Sequence, residues 1–339
     1  MKLDRRSLLA AAGALPALPV LAQTSSTSPP PPSRPHPYAP RLPVNPGLPP
    51  MAVMDVWPGG RPPGAGRVAA WRGPAPPPRP ELHGDIRGYA RPVLAVWRPE
   101  QADGTSLLVL PGGGYHFVSW DNEGASVARV LLPGGPTVFV LAYRLPADRL
   151  GWPDEAQAPL QDAQRAIRLV RADAEAHGRD PRATGVLGFS AGGHLAGRVM
   201  TEFDRATYAP VDAADRHSAR PQYAGLLYPV ITLEAPYAHT GSRQALIGED
   251  MGRAPALSVQ RNVRAGDPAA FVAQCLDDDT VDPDNSLILD AALRRAGVPT
   301  ELHLFQEGGH GFGVSLPPEL PAQLWPELFT RWRRRMQSA

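Results

Sequence analysis

The stretch that decides the fold is residues 184–192, which read Thr184-Gly-Val-Leu-Gly-Phe-Ser190-Ala-Gly192. Its first four residues have the character of a buried strand, and residues 191–203 have that of a helix. Ser190 therefore stands at a tight turn between them, with a glycine two residues away on either side. Glycines there remove the Cβ atoms that would collide in such a turn. The pentapeptide alone also fits a glycine-rich turn with a serine N-cap, but the flanking strand and helix favour a nucleophile.

Short apolar runs alternate with helical patterns from about residue 83 onwards. The predicted strands are 92–97, 106–110, 137–142, 184–187, 223–228, 270–275 and 301–305. The predicted helices are 122–132, 159–177, 191–203, 285–296 and 319–336. A strand followed by a helix, repeated along the chain, predicts an α/β protein with a mostly parallel central sheet covered by helices on both faces.

A serine hydroxyl is a weak nucleophile and needs a base, which is usually a histidine oriented by a carboxylate. His310 lies in the run Gly308-Gly-His-Gly-Phe312, after the last predicted strand. Asp277, Asp278 and Asp279 follow an earlier strand, so the residues occur in the order serine, acid, histidine. A calcium-binding loop is the competing interpretation of the acidic cluster, but Asp282 stands where an EF-hand needs glycine.

The other histidines fit the role of base less well. His194 lies one turn into the helix after Ser190, where burial in the core is the expected role. His116, next to a glycine run, is predicted to line the pocket together with Tyr115. Histidines without a motif are His217, His239 and His303, and His36 lies in a proline-rich segment.

Three consecutive glycines follow the predicted strand 106–110, in the run Pro111-Gly-Gly-Gly-Tyr115. Their backbone N–H groups can approach a reacting carbonyl closely and stabilise the negative charge that develops on its oxygen. The amide of Ala191 is the expected partner donor. A phosphate-binding loop is the rival interpretation, but no Gly-Lys-Ser/Thr follows.

With these motifs the chain resembles the α/β-hydrolase superfamily, and within it the acetyl esterase/lipase group that includes carbohydrate acetyl esterases and feruloyl-esterase-like enzymes. The resemblance runs from about residue 53 to the C-terminus. Further residues that carry it are Asp55-Val-Trp-Pro-Gly59, Ala142-Tyr-Arg-Leu-Pro146, Pro159-Leu-Gln-Asp-Ala-Gln164 and Gly188-Phe-Ser-Ala-Gly-Gly-His194. The resemblance implies the α/β-hydrolase fold, a triad of Ser190, Asp278 and His310, and an oxyanion hole formed by Gly113, Gly114 and Ala191.

Two departures from the family pattern stand out. The usual His-Gly before the acid is replaced by Gln274-Cys275, and Asp282 replaces a proline, so Asp277 is the alternative acid. Pro111 replaces the first histidine of the His-Gly-Gly-Gly loop found in lipase-like relatives, which favours the carbohydrate-esterase side of the group.

The resemblance therefore implies a serine esterase that hydrolyses small acyl esters, acetyl esters above all, on plant polysaccharides or oligosaccharides. It implies no metal and no cofactor. The alternatives are a serine peptidase of the prolyl-oligopeptidase type, thioester or lactone hydrolysis, and a non-catalytic binding protein on the same fold. A prolyl oligopeptidase usually carries a large extra domain, and a binding protein would normally have lost a triad member.

Three segments are predicted along the 339 residues. Residues 1–22 combine Arg5 and Arg6 with an apolar run and a small-residue ending at Ala22, which predicts a twin-arginine export signal. Residues 23–50 form a proline-rich linker, and residues 51–339 form the catalytic domain. We therefore expect a periplasmic or secreted protein without a stable membrane anchor.

The charge balance limits the class of partner, and the cysteine content limits disulfides and lipid attachment. The chain holds 34 Lys and Arg against 33 Asp and Glu. The resulting net charge of +1 is too small to favour binding to nucleic acid. The only cysteine, Cys275, excludes an internal disulfide and a lipid attachment near the start. The expected partner is a small-molecule or carbohydrate ester, and no oligomeric state is predicted.

Overall fold

The computed structural model describes residues 49–73 and 75–337, and ten strands lie in this part of the chain. In chain order they are β1 Ala52–Asp55, β2 Asp85–Ile86, β3 Val93–Trp97, β4 Ser106–Leu110, β5 Val118–Ser119, β6 Thr137–Ala142, β7 Thr184–Phe189, β8 Tyr223–Leu227, β9 Ala269–Cys275 and β10 Thr300–Phe305. Eight of them form one sheet in the order β1-β3-β6-β4-β7-β8-β9-β10, while β2 and β5 pair separately. Strand β3 is antiparallel to both neighbours, and all other pairs in the large sheet are parallel.

Helices cover both faces of this sheet. In chain order they are α1 Ser126–Leu131, α2 Ala158–Ala176, α3 Ala191–Glu202, α4 Thr240–Ile247, α5 Ala254–Leu257, α6 Val259–Asn262, α7 Asp284–Arg295 and α8 Trp325–Gln337. A Cβ placed on Gly225 would lie 2.8 Å from Phe329 of α8, whereas one placed on Gly197 of α3 would lie 3.5 Å from the adjacent Leu226. Because successive side chains of a strand point to opposite faces, α3 and α8 lie on opposite sides of the sheet. The predicted α/β-hydrolase fold is confirmed.

The central strands are long apolar runs because both of their faces are covered. Every residue of β3, β4, β6, β7 and β8 is buried. None of these strands shows the alternation of polar and apolar residues that a half-exposed strand would have. Their mutual pairing places the core on both sides of the middle of the sheet.

Three of the stretches that carry the resemblance meet in one buried cluster. The Asp162 carboxylate, 0% exposed, accepts hydrogen bonds from Nε1 of Trp57 at 2.7 Å and from the backbone N–H of Arg144 at 2.8 Å. The Arg144 guanidinium, 1% exposed, also bonds to it at 2.8 Å. This cluster ties the segment before β2 and the end of β6 to helix α2, and all three stretches are among those that carry the resemblance.

The observed elements differ from the prediction at identifiable places. The predicted helix 122–132 begins as a wider π-helical turn, Trp120–Ala125, before α1. The predicted helix 319–336 begins as a 3-10 turn, Pro321–Leu324, and becomes α8 only at Trp325. Strands β1, β2 and β5 and helices α4 to α6 were not predicted, because these elements are short and lack a sustained apolar period.

The proline-rich stretch 58–80 contains three 3-10 turns, and most of its described residues are exposed. Trp71 packs there with Val68 and with Trp152 in a small cluster of its own. Residues 1–48 lie outside the described residues, and with them the predicted export signal and nearly all of the predicted linker. Within the described ranges, no helix has the length and apolar character needed to cross a membrane.

Candidate active site

Ser190 occupies a strained turn between β7 and α3. Its φ of 52° and ψ of −119° lie outside the favoured regions for residues other than glycine. A Cβ on Gly188 would lie 2.1 Å from the carbonyl oxygen of Gly192, and one on Gly192 would lie 2.0 Å from that of Leu110. Only glycine fits at both positions, as the sequence predicts. The turn points the Ser190 hydroxyl into a cavity at the carboxyl edge of the sheet.

His310 lies beside the Ser190 hydroxyl. Its Nε2 is 2.9 Å from the Ser190 Oγ, and its Nδ1 is 2.7 Å from Oδ2 of Asp278. In the matching tautomer, the serine hydroxyl donates to Nε2 and Nδ1–H donates to the carboxylate. The histidine ring also packs edge-on against Tyr228, with ring centroids 4.9 Å apart. The structure thus brings the predicted serine, histidine and acid into one hydrogen-bonded chain.

Asp278 is held as a hydrogen-bond acceptor from several sides. Its Oδ1 accepts from the backbone N–H groups of Thr280 and Val281, each at 2.9 Å. Its Oδ2 accepts from the Gln274 side chain at 2.9 Å, in addition to His310. Gln274, one of the departures from the family pattern, therefore orients the acid, while its own oxygen accepts from Ser286 at 3.0 Å.

Asp277 has a different task from its neighbour. Its carboxylate accepts hydrogen bonds from the backbone N–H groups of Gly308 and Gly309, at 3.2 and 2.9 Å. These glycines lead into His310, so Asp277 anchors the loop that carries the histidine. The geometry places Asp278, and not Asp277, on the imidazole.

The glycine loop follows β4 and borders the same cavity. Gly113 and Gly114 have φ values of 122° and 62°, which favour glycine, and both line the cavity with Ser190 and His310. The N–H of Gly112 instead donates to the buried carboxylate of Glu123 at 2.6 Å. Ala191 is the first residue of α3, so no carbonyl inside that helix can accept from its N–H. These positions suit Gly113, Gly114 and Ala191 for the predicted donor role.

Tyr115 corrects one prediction about the pocket. Its side chain is 0% exposed and packs in the main hydrophobic core. The residue has a φ of 64°. Its hydroxyl bonds to Nδ1 of His194 at 2.8 Å instead of lining the cavity. His116 does line the cavity, and its Nε2 lies 3.3 Å from the carbonyl oxygen of Gly241.

His194 is fully buried away from the reacting atoms. Its Nε2 lies 2.8 Å from the carbonyl oxygen of Leu257, and its Nδ1 faces the Tyr115 hydroxyl. Burial and the nearby Arg198 lower the pKa of His194 to about 3, so the ring is neutral at ordinary pH. This agrees with a packing role and with His310 as the base.

The cavity around Ser190 has a volume of about 520 Å³, and several polar side chains lie among the residues that line it. His239 is part of this wall, although it has no motif in the sequence. Its Nδ1 lies 2.8 Å from the Ser242 hydroxyl. Burial, together with the neighbouring His310 and His116, lowers the pKa of His239 and favours its neutral form. Glu123 is another wall residue that sequence patterns did not single out.

Comparison with known proteins agrees with this fold. The BD-FAE family model matches residues 94–293, which is more than half of the chain. An acetylxylan esterase of Xylanibacter ruminicola is 32% identical over 65% of this chain and 43% of its own length. Endo-1,4-beta-xylanase B of Butyrivibrio fibrisolvens is 31% identical over 67% of this chain and 35% of its own length. The chain thus spans less than half the length of these curated relatives.

Solved structures give the same result. An acetyl ester-xyloside bifunctional hydrolase from Caldicellulosiruptor lactoaceticus has a TM-score of 0.69 at 35% identity, over 86% of this chain and 98% of its own. A carboxylesterase from Lactobacillus plantarum has a TM-score of 0.62 at 27% identity, over 76% of this chain and 98% of its own. The predicted resemblance to carbohydrate esterases is confirmed, and the chain belongs to the BD-FAE family of α/β-hydrolases.

Proposed function

We propose that the protein is a serine esterase that hydrolyses small acyl esters, acetyl esters first, through an acyl-enzyme on Ser190. The observation that carries the proposal is the chain Ser190–His310–Asp278, with contacts of 2.9 and 2.7 Å, beside Gly113 and Gly114 in an open cavity. A serine needs this arrangement to become a nucleophile at neutral pH.

The first half of the reaction makes the acyl-enzyme. His310 Nε2 takes the Ser190 proton while Oγ bonds to the ester carbonyl carbon, and the carbonyl π electrons move to its oxygen. The amides of Gly113, Gly114 and Ala191 stabilise this oxyanion, and each such donor contributes roughly 3 kcal/mol to the transition state. As the C=O bond re-forms, the bond to the alcohol oxygen breaks and His310 returns the proton to that oxygen.

Water completes the cycle by the same route. His310 takes a proton from water, the hydroxide oxygen bonds to the acyl carbon, and a second oxyanion forms. The bond to Oγ then breaks, and the proton on His310 passes to Ser190. The products are a carboxylic acid and free enzyme. Asp278 stabilises the imidazolium of both halves without taking the proton itself.

The walls of the cavity support a small acyl group and a polar alcohol. The Glu123 carboxylate lies next to Gly112 and close to Ser190, so this part of the wall presents a charged group, and not an apolar surface, to a long acyl chain. His116, His239 and Thr280 supply groups that bond to hydroxyls, as a sugar alcohol requires. Similarity to an acetylxylan esterase and to an acetyl ester-xyloside hydrolase supports the same substrate class. A peptidase of the prolyl-oligopeptidase type is not favoured by these relatives.

Hydrolysis of p-nitrophenyl esters of increasing acyl length, measured beside acetyl release from acetylated xylan, tests the proposal. We expect kcat/KM to be highest for the acetate and to fall as the chain lengthens. Ser190→Ala should lower the rate by at least about 1,000-fold, because the nucleophile is lost. Wild-type rates in Ser190→Ala, or a preference for long acyl chains, would contradict the proposal.

We also propose that the enzyme acts outside the cytoplasm, in the periplasm or secreted. The support is the pattern of residues 1–22, with its paired arginines and apolar run. Cell fractionation of the wild type and of the double substitution Arg5→Lys, Arg6→Lys tests this. Mature enzyme in the periplasm or medium is expected only for the wild type, and wild-type enzyme confined to the cytoplasm would refute it.

A further inference from the structure

Glu123 is a buried carboxyl group in the wall of the active-site cavity, and no step of the proposed reaction uses it. Only 3% of its surface is exposed. It lies in the π-helical turn Trp120–Ala125, between β5 and α1. Acidic side chains are almost never so buried unless hydrogen-bond partners compensate for the lost water. Its partners therefore indicate its role.

The two oxygens of Glu123 bond to different parts of the site. Oε2 accepts a hydrogen bond from the backbone N–H of Gly112 at 2.6 Å. Oε1 accepts one from the Tyr228 hydroxyl at 2.8 Å, and the Tyr228 oxygen in turn accepts from the backbone N–H of Gly313 at 2.9 Å. A single side chain thus connects the glycine loop to the loop that carries His310.

The neighbouring residue makes a parallel contact. The Asn122 side chain donates to the carbonyl oxygen of Gly311 at 2.9 Å. A Cβ on Gly313 would lie only 2.7 Å from Oδ1 of Asn122, so this loop is packed tightly against the turn. The turn Trp120–Ala125 therefore holds the histidine loop on both sides of Phe312, once directly and once through Tyr228.

Gly112 is enclosed between Glu123 and the nucleophile. A Cβ on Gly112 would lie 2.7 Å from Oε2 of Glu123 and 2.9 Å from Cβ of Ser190. The hydrogen bond from its N–H fixes the Pro111–Gly112 peptide plane, and its carbonyl oxygen accepts from the N–H of Ser119 at 3.0 Å, which holds the next plane. Because Gly113 and Gly114 follow directly, Glu123 anchors the start of the segment whose amides face the cavity.

We propose that Glu123 is a positioning residue, which keeps the oxyanion donors and His310 aligned with Ser190 by holding the Gly112 amide and, through Tyr228, the histidine loop. This inference rests on the proposed esterase function. Misaligned donors lose contacts that are strongest in the transition state, so loss of Glu123 lowers kcat and leaves KM nearly unchanged.

Steady-state hydrolysis of p-nitrophenyl acetate by the full-length protein tests the inference, with kcat expressed per active site. The sites are counted with a p-nitrophenyl phosphonate, which forms one Oγ–P bond at Ser190 and releases one p-nitrophenolate, so unfolded protein does not enter kcat. For Glu123→Gln we expect kcat to fall about 10- to 100-fold, with KM within about threefold of wild type. Tyr228→Phe keeps the ring and removes the hydroxyl, and its kcat should fall about 3- to 10-fold.

The combination of the two substitutions separates positioning from general damage. If both act through one hydrogen-bonded chain, the double variant should have about the kcat of Glu123→Gln alone. Tyr208→Phe is the matched control, because it also removes a tyrosine hydroxyl bonded to a carboxylate, that of Asp215 at 2.7 Å, away from the cavity. It should keep the wild-type kcat.

Three results would overturn the inference. One is a per-site kcat of Glu123→Gln within twofold of wild type, and another is a loss confined to KM. If Glu123→Gln gives no titratable sites, Tyr228→Phe decides, and a wild-type kcat in that variant is the third. Wild-type protein that does not hydrolyse the ester would instead refute the esterase proposal itself, and this inference with it.

Discussion

Asp277 and Asp278 are adjacent in the chain, yet their carboxylates bond to different partners. Asp278 bonds to the His310 ring, and Asp277 bonds to the backbone of Gly308 and Gly309. Sequence patterns left both residues open as the acid, because spacing along a loop does not fix the direction of a side chain. The hydrogen bonds assign separate roles to them.

Substituting each of the two aspartates by asparagine tests this division. Asp278→Asn should lower kcat by about 10⁴-fold, since an amide favours the wrong imidazole tautomer. Asp277→Asn keeps an acceptor oxygen for the loop and should lower kcat less than about tenfold. The measurement is kcat for p-nitrophenyl acetate in both variants. Equal activities, or a larger loss in Asp277→Asn, would reverse the assignment.

His194 makes stability depend on pH in a defined window. Its pKa is about 3 in the folded protein and about 6.5 in the unfolded chain. As the pH falls, the unfolded chain therefore takes up a proton on His194 before the folded protein does. The folded state has its full stability with respect to His194 above about pH 6.5 and loses it as the pH falls toward 3. The expected slope is about 1.4 kcal/mol per pH unit within that window.

Urea unfolding at about pH 7 and about pH 5 measures this contribution. His194→Gln should show a smaller loss of unfolding free energy between the two pH values than wild type. The exposed His83 provides the control, because His83→Gln should retain the wild-type loss. Identical pH dependence in wild type and His194→Gln would refute the effect.

Among the structural elements, the helices with a long apolar period were predicted best. The predictions 159–177, 191–203 and 285–296 each end within one residue of α2, α3 and α7. Elements held mainly by tertiary contacts escaped prediction. Strand β1 has four residues and pairs at the sheet edge, where the ion pair of Asp55 with Arg91 supports it.

The buried cluster under helix α2 should be a major source of stability. Asp162→Ala would leave the Arg144 guanidinium, 1% exposed, without its carboxylate. Breaking a buried pair in this way costs about 3–5 kcal/mol, because an uncompensated charge stays buried. We expect the free energy of unfolding in urea to fall by about this amount. The exposed pair of Asp180 and Arg182 gives the contrast, and a loss in Asp162→Ala no larger than in Asp180→Ala would contradict the prediction.

Viewed as a whole molecule, the site collects residues from the carboxyl ends of four parallel strands. The glycine loop follows β4, Ser190 follows β7, Asp278 follows β9 and His310 follows β10. The carboxyl ends of parallel strands lie along one edge, so the order of motifs in the sequence predicts that the glycine loop, Ser190, the acidic cluster and His310 meet, although it does not choose between Asp277 and Asp278.

Other features of the site depend on contacts between residues far apart in sequence. The bond between Glu123 and Tyr228 spans 105 residues, and no spacing rule links the two positions. His239 reaches the cavity from the loop before α4, whose path has no apolar period to reveal it. Tyr115 was misplaced because the positive φ of that residue is visible only in the structure.

The proposed reaction requires Ser190 to carry the acyl group. Its most direct test is rapid mixing of the enzyme with p-nitrophenyl acetate, an acid quench, and mass spectrometry of the proteolytic peptides. We expect one acetyl group on the peptide that contains Ser190 in wild type, and neither acetylation nor a burst of p-nitrophenolate in Ser190→Ala. Turnover in the wild type with no acetyl group trapped on that peptide, together with undiminished turnover in Ser190→Ala, would contradict it.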